Sequence, residues 1–325
     1  MTIDTVEAAV LECLATNYRL QGKLERLAGE NLNYSLLTGQ GETYVVKIVD
    51  QDMPPAVVEM ESQAMEYAIA AGFRLQLPQI VRNIHGKIET GIKIHINKLE
   101  RLRIITFIEG CLLENTSDIS EELQKNVGKS LAEYNLAMQG FDIPAAHRNH
   151  RWNLAEAGQH RDKIELIMDP EKQALLRWGF DTWEQAKPRL DSLPRQFIHG
   201  DMNRENIMVQ GDRVIGLLDF GDSCFNPTVC DLAICLAYMM MDRADPLETA
   251  AIVTSAYQEL RPLSDDEESV LFPLICGRLV VSLAISAWRQ SIDPGHPNWF
   301  EGDDSSWELL EYLQGLEGFS VDISD

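Results

Sequence analysis

The stretch from Phe197 to Pro227, "FIHGDMNRENIMVQGDRVIGLLDFGDSCFNP", constrains this chain more than any other. Two apolar runs of strand character, 207–209 and 214–218, flank the turn "QGDR" and read as a β-hairpin. A loop with His199, Asp201, Asn203 and Asn206 leads into the hairpin, and Asp219 and Asp222 follow it on either side of Gly221. Solvated loops often contain such residues, but strand-like runs seldom bracket them so closely. The antiparallel return carries Asp219 back toward the loop that holds Asp201.

The rest of the chain supplies the frame. Residues 5–15 have helical spacing of apolar positions, and 21–49 read as three short antiparallel strands with Gly-bearing turns. "PPAVVEMESQAMEYAIAAG" predicts a helix opened by proline and stopped at Gly72. Segments 79–85, 91–97 and 101–108, broken by "HGK" and "NKLE", predict two more strands and a connector, and 109–118 has the character of a boundary. Helices are expected over 120–139 and 160–178 and through most of the chain from 228, with Asp231 as an N-cap. The expected order is a small β-rich lobe, 1–108, and a larger helical lobe, 109–325, an α+β architecture.

At 325 residues the chain has room for two such lobes, since domains of about 100 to 200 residues are usual. Its 45% apolar and 24% charged residues are those of an ordinary globular chain, and no window approaches the roughly 20 continuous apolar residues of a membrane span. The start has no secretory pattern, and the six cysteines form no CxxC pair, which predicts reduced thiols and a cytoplasmic location. A formal charge of −23 disfavours nucleic acid and anionic membranes as partners and favours cationic ligands.

Phosphoryl transfer needs Mg²⁺ to neutralise phosphates, a lysine to position them and a carboxylate beside the attacking hydroxyl. Asp201 and Asn206, five apart, supply a carboxylate for an acceptor and an amide oxygen for a metal, and Asp219 supplies a hard metal ligand. Lys47 lies inside the alternating strand "YVVKI", where an inward ammonium needs an anionic partner; Glu61 on the next helix is favoured over Glu59. A Ca²⁺ loop is disfavoured, because the required Gly and terminal Glu are missing.

"HGDMNREN" with "LLDFGD" resembles the motifs of the aminoglycoside phosphotransferase and choline kinase superfamily, which has a protein-kinase-like two-lobe fold. More narrowly, "GENLNYSL", "RWNLAEA" and "LLDFGDSCFNPTVCDLAICLAYMM" resemble hydroxylysine kinase-like proteins. The resemblance implies a donor, ATP or GTP, bound between the lobes with Mg²⁺ on Asn206 and Asp219, and Asp201 as the base. It also implies nucleotide contacts from Lys47, Glu61, Asn31 and Asn33, and from the hinge "IITFIEG" around Phe107 and Glu109. The acceptor is then an amine-bearing alcohol such as 5-hydroxylysine, with homoserine, choline, ethanolamine and aminoglycosides as alternatives. A non-catalytic nucleotide-binding protein is a further alternative.

Two features depart from the pattern. Asn153 stands where relatives commonly have Asp after Trp152, and the loop at 29–33 has a single Gly. The absence of a long activation segment and of an A-P-E triplet after Gly221 disfavours a protein substrate. Asp222, Trp152 and Arg148 are candidates for the acceptor pocket, with His150 beside them and Arg148 or Arg151 nearest for an acceptor carboxylate. Trp299, Glu301, Asp303 and Asp304 form an aromatic-acidic stretch that could hold an ammonium.

Overall fold

Alternation of apolar residues in the N-terminal strands gives one face to a core and leaves the other for polar groups. The computed structural model describes residues 3–27, 32–49, 53–95, 98–295 and 303–316. Two compact units emerge, one of residues 1–66 with 76–109, the other of 67–75 with 110–325.

In the first unit, α1 (Ile3–Tyr18) precedes a sheet of β1 (Gly22–Arg26), β2 (Asn33–Thr38), β3 (Thr43–Val49), β4 (Ile80–Val81), β5 (Thr90–His95) and β6 (Lys98–Thr106). Helix α2 (Pro55–Ala70) lies between β3 and β4 in sequence. The strands run in the order β1-β2-β3-β6-β4, with β5 also on β6, and all pairs are antiparallel. The expected meander is therefore present, and "KLE", expected as a break, instead opens the long strand β6. Val10, Cys13, Leu14 and Tyr18 recur on one side of α1 and pack on Tyr34, Leu36, Val46, Leu102 and Ile104. The opposite sheet face carries the residues between these, including Lys47 and Arg103.

The second unit begins with β7 (Cys111–Leu112) and α3 (Glu121–Ala137), whose cap Ser120 accepts from the Leu123 amide at 3.1 Å. A 3₁₀ segment, Leu154–Leu166, leads to α4 (Pro170–Leu190). The helix expected over 160–178 is thus two elements. Asp169 accepts from the Glu171 and Lys172 amides, and Pro170 sits at the first helical position, so a new helix must start there.

Strand β8 (Arg195–Ile198) pairs with β11 (Cys224–Pro227), while β9 (Ile207–Gln210) and β10 (Arg213–Leu217) form the predicted hairpin, with β7 on its edge. Helices α5 (Val229–Met240), α6 (Pro246–Gln258), α7 (Asp265–Ile292) and α8 (Asp303–Gly315) complete the unit. A capping box of Ser264 and Glu267 starts α7, which packs on α4, α5, α8 and the 3₁₀ segment. By length and composition alone α7 could cross a membrane, although Arg278 interrupts its apolar run. An 18-residue window of α7 reaches a mean hydropathy of 2.1, but 83% of that window is buried, as in a core helix.

Candidate active site

The loop after β8 is held by a carboxylate far away in sequence. Asp231, fully buried in the first turn of α5, accepts from the backbone amides of His199 at 3.0 Å and Gly200 at 2.8 Å, and from Asn135 Nδ2 at 2.8 Å. It is not the expected N-cap; Thr228 occupies that position, and the Asp231 side chain turns back to the loop instead. Gly200 adopts φ +78°, and a Cβ there would collide with the Asp222 carbonyl oxygen. Only glycine lets the two loops approach this closely. The buried His199 ring lies 2.9 Å from the Leu218 carbonyl through Nε2 and 3.3 Å from the Asp201 amide through Nδ1. The carbonyl requires a donor and the amide an acceptor, which sets the ring tautomer. His199 is therefore a strut between the loop and the hairpin.

Both oxygens of Asp201 are engaged. Oδ2 accepts from Asn203 Nδ2 at 3.1 Å and Asn206 Nδ2 at 2.8 Å, and Oδ1 accepts from Arg278 Nη2 at 2.7 Å. Asn206 also donates to the Asp201 carbonyl at 2.9 Å, so both amide hydrogens are spent and its Oδ1 is left for another partner. The Leu218 amide donates to the Asn206 carbonyl at 2.8 Å, joining the end of β10 to the loop. The register of β10 slips between Val214 and Gly216 just before this point. Asp219 then takes φ +52°, a strained conformation for a non-glycine residue, with its Oδ1 accepting from the Gly221 amide at 3.2 Å. Asp201, Asn206 and Asp219 are thereby brought into one neighbourhood, as their order in sequence predicted.

Of the acceptor-pocket candidates, Asp222 and Trp152 lie beside this group. Asp222 Oδ1 is 3.3 Å from His150 Nδ1, and the charge of Asp222 acts on both Asp201 and Arg278. The Trp152 ring centroid is 4.9 Å from Arg278 Cζ and 5.5 Å from Arg289 Cζ. Arg148 is a correction. Its guanidinium donates to the carbonyls of Gly221 and Ser223, so it clamps the turn after Asp219. Arg151 lies over Trp288 at 5.1 Å. Asn153 is buried, caps the 3₁₀ segment through the Ala155 amide at 3.1 Å and accepts from Asn226 at 2.8 Å, a structural position. Trp299 and Glu301 lie outside the described residues. Asp303 and Asp304 begin α8, and the Ser286 hydroxyl donates to Asp303.

In the first unit, Asn33, Lys47 and Arg103 are direct cross-strand partners on one sheet face. Glu61, expected beside Lys47, is engaged by Arg103. Glu61 Oε2 lies 2.6 Å from Arg103 Nη2, with side chains 5% and 7% exposed. The physical reason is the register, which puts a second cation beside Lys47 within reach of α2. Arg103 Nε and Nη1 and Asn33 Oδ1 are buried without a hydrogen-bond partner. Asn31 lies outside the described residues, and Phe107 and Glu109 follow β6 with exposed side chains.

Comparison with known proteins decides the family. The model of the phosphotransferase enzyme family, APH, matches residues 23–263 of the 325. The chain belongs to that family. This phosphotransferase is 24% identical over 293 residues to hydroxylysine kinase of Mus musculus, covering 83% of this chain and 76% of the relative. It is 29% identical over 254 residues to homoserine kinase of Gluconobacter oxydans (strain 621H), covering 76% and 75%. Among solved structures, amicoumacin kinase hAmiN in complex with AMP-PNP, Ca²⁺ and Ami superposes with a TM-score of 0.72 at 17% identity, over 100% of this chain and 98% of that one. A microcompartment-associated aminopropanol kinase gives 0.73 at 17%, over 97% and 99%. The α+β kinase-like fold expected from the sequence is thus the fold of this phosphotransferase.

The electrostatics of its loop act on the Asp201 carboxyl in opposing directions. Burial pushes the Asp201 carboxyl above its ordinary value of 3.8; Arg278 opposes the shift, and the charges of Asp222 and Asp219 add to it. The site residues missed from sequence are Arg278, Tyr238 and Arg103. A signal existed for Arg278, the lone charge in the apolar run "FPLICGRLVVSLAIS".

Proposed function

We propose that this phosphotransferase moves the γ-phosphoryl group of ATP or GTP to a hydroxyl of an amine-bearing small molecule, with 5-hydroxylysine or a close analogue as acceptor. The observation that carries the reading is the coupling of Asp201 to Asn206. One side chain keeps a carboxylate in place while the other keeps an amide oxygen free, and Asp219 stands beside them.

The donor set fits Mg²⁺, which is usually bound by one or two carboxylates completed by substrate phosphates. Asn206 Oδ1 and the Asp219 carboxylate would hold it, and when bound it would neutralise charge on the transferring phosphoryl group. Lys47, with Arg103 beside it and Glu61 holding Arg103, would position the donor's phosphates; Asn31, Asn33 and the backbone near Phe107 and Glu109 stand as further nucleotide contacts. Asp201 orients the acceptor hydroxyl and takes its proton as the bond from phosphorus to the acceptor oxygen forms and the bond to the leaving diphosphate breaks. Asp222 and Trp152 face the acceptor's amine through charge and cation–π attraction. We place the enzyme in the cytoplasm, a reading supported by six free cysteines, with neither nucleic acid nor membrane as partner.

Homoserine is the second acceptor, supported by the 29% identity to a homoserine kinase. A panel of 5-hydroxylysine, homoserine, choline, ethanolamine and an aminoglycoside, assayed with ATP and GTP and Mg²⁺, ranks kcat/KM directly. We expect 5-hydroxylysine to lead and chelation of Mg²⁺ to abolish turnover. A lead of more than about tenfold for choline or an aminoglycoside, roughly 1.4 kcal/mol of transition-state stabilisation, overturns the acceptor assignment. No turnover on any member overturns the phosphotransfer reading itself.

A further inference from the structure

Arg278 projects from the middle of α7 with only 2% of its side chain exposed. Nη2 donates to Asp201 Oδ1 at 2.7 Å and to the Tyr238 hydroxyl at 2.9 Å, and Nε donates to the same hydroxyl at 3.2 Å. Its Cζ lies 4.9 Å from the Trp152 ring centroid and 5.2 Å from that of Tyr238. The third nitrogen, Nη1, is buried and has no hydrogen-bond partner. A guanidinium does not lose its proton, and an unmatched buried donor is costly to the folded protein. Holding Asp201 uses Nη2 alone, so the cost of Nη1 is unexplained by that task. Both aromatic walls, Trp152 and Tyr238, are only half-buried.

The surroundings define what would match Nη1. Asp222 lies close enough to act on both Arg278 and Asp201, and it offers the negative charge an ammonium needs. Arg148 is committed to backbone carbonyls, and Arg151 to Trp288. Within this neighbourhood Arg278 and His150 have buried nitrogens without a hydrogen-bond partner, and of the two only the guanidinium is a permanent cation, in a chain whose formal charge is −23.

We infer that Arg278 is the carboxylate anchor of the acceptor site, its Nη1 receiving an acceptor carboxylate oxygen, so that the preferred acceptor is a hydroxylated amino acid rather than an amino alcohol lacking the carboxylate. The inference rests on the proposed transfer to an amine-bearing alcohol. Asp222 for the ammonium, Arg278 for the carboxylate and Asp201 for the hydroxyl give three points of attachment, enough to fix one orientation.

The test compares 5-hydroxylysine with its decarboxylated counterpart, 1,5-diaminopentan-2-ol, in the wild type, Arg278→Gln and Arg278→Lys, with melting temperatures as the check on folding. The wild type should favour the amino acid by about 10- to 100-fold in kcat/KM, the range of a charge-assisted hydrogen bond. In Arg278→Gln kcat falls for both acceptors, because Asp201 loses a partner, but the preference collapses to within about threefold, and Arg278→Lys restores part of it. A purely structural Arg278 would lower both acceptors together and leave their ratio unchanged, which overturns the inference, as does a wild type without preference. Titration calorimetry with lysine and 1,5-diaminopentane, which have no hydroxyl to phosphorylate, separates the two readings. Should no acceptor turn over, the phosphotransfer reading falls, while tighter wild-type binding of lysine that is lost in Arg278→Gln still supports the anchor; equal binding of the two overturns it.

Discussion

The loop at 199–206 and the sheet face of Asn33, Lys47 and Arg103 both gather polar side chains, but they treat them differently. In the loop, Asp201, Asn203 and Asn206 bond to one another, and Asp231 and His199 fasten the loop to α5 and the hairpin. On the sheet face, Glu61 satisfies one nitrogen of Arg103, while Nε, Nη1 and the Asn33 oxygen are buried unmatched. The geometry of the loop is set by bonds within the protein, with Asn206 Oδ1 left open. The sheet face retains buried donors, Arg103 Nε and Nη1, at some cost to the free protein.

The largest break in this comparison is expected from Asp201→Asn. The amide keeps the shape of the loop but cannot take a proton, so kcat should fall by about 10²- to 10⁴-fold with nucleotide affinity nearly unchanged. Steady-state kinetics beside nucleotide titration check this, and an unchanged kcat removes Asp201 as the base. Glu61→Gln should act on stability. Removing one partner from a buried pair typically costs about 3–5 kcal/mol, seen as a lower denaturant midpoint. A midpoint within error of wild type would mean that Arg103 finds other partners.

The smallest effect is in pH. Because Asp201 is held above 3.8, the acid limb of kcat should lie above that value, and Arg278→Gln should move it higher by removing the charge that opposes the shift. The sign for stability is opposite to that of a carboxylate whose pKa the fold lowers. The folded chain binds this proton more tightly than the unfolded chain, so the contribution of Asp201 is full below its ordinary value and declines as pH rises through the raised one. A limb that moves down in Arg278→Gln would reverse the assignment of Arg278 as the opposing charge.

What could be read from sequence follows the distance over which each feature is encoded. The hairpin and the approach of Asp201, Asn206 and Asp219 were legible because they occupy one continuous segment with its own turn. Glu61 was correctly singled out as an inward acid, but its partner depends on the register of β3 against β6, which puts Arg103 directly beside Lys47. Arg278 reaches Asp201 across 77 residues, and Asp231 reaches Gly200 across 31, so helical spacing alone gives Asp231 the appearance of a cap. Arg148 looked available because its neighbours are polar; its partners are backbone carbonyls, which carry no sequence signature.

The bonds from Asp231 to the amides of His199 and Gly200 bear on how the molecule moves. Those two N–H groups are tied to a fully buried carboxylate on α5 and share it with Asn135 of α3. They can be exposed to solvent only when the packing of those helices opens, so their hydrogen exchange should be among the slowest of the second unit, close to the limit of global unfolding. The start of the loop, at His199 and Gly200, is thereby expected to be a fixed point of the second unit, and a faster exchange of these two amides than of their neighbours would show otherwise.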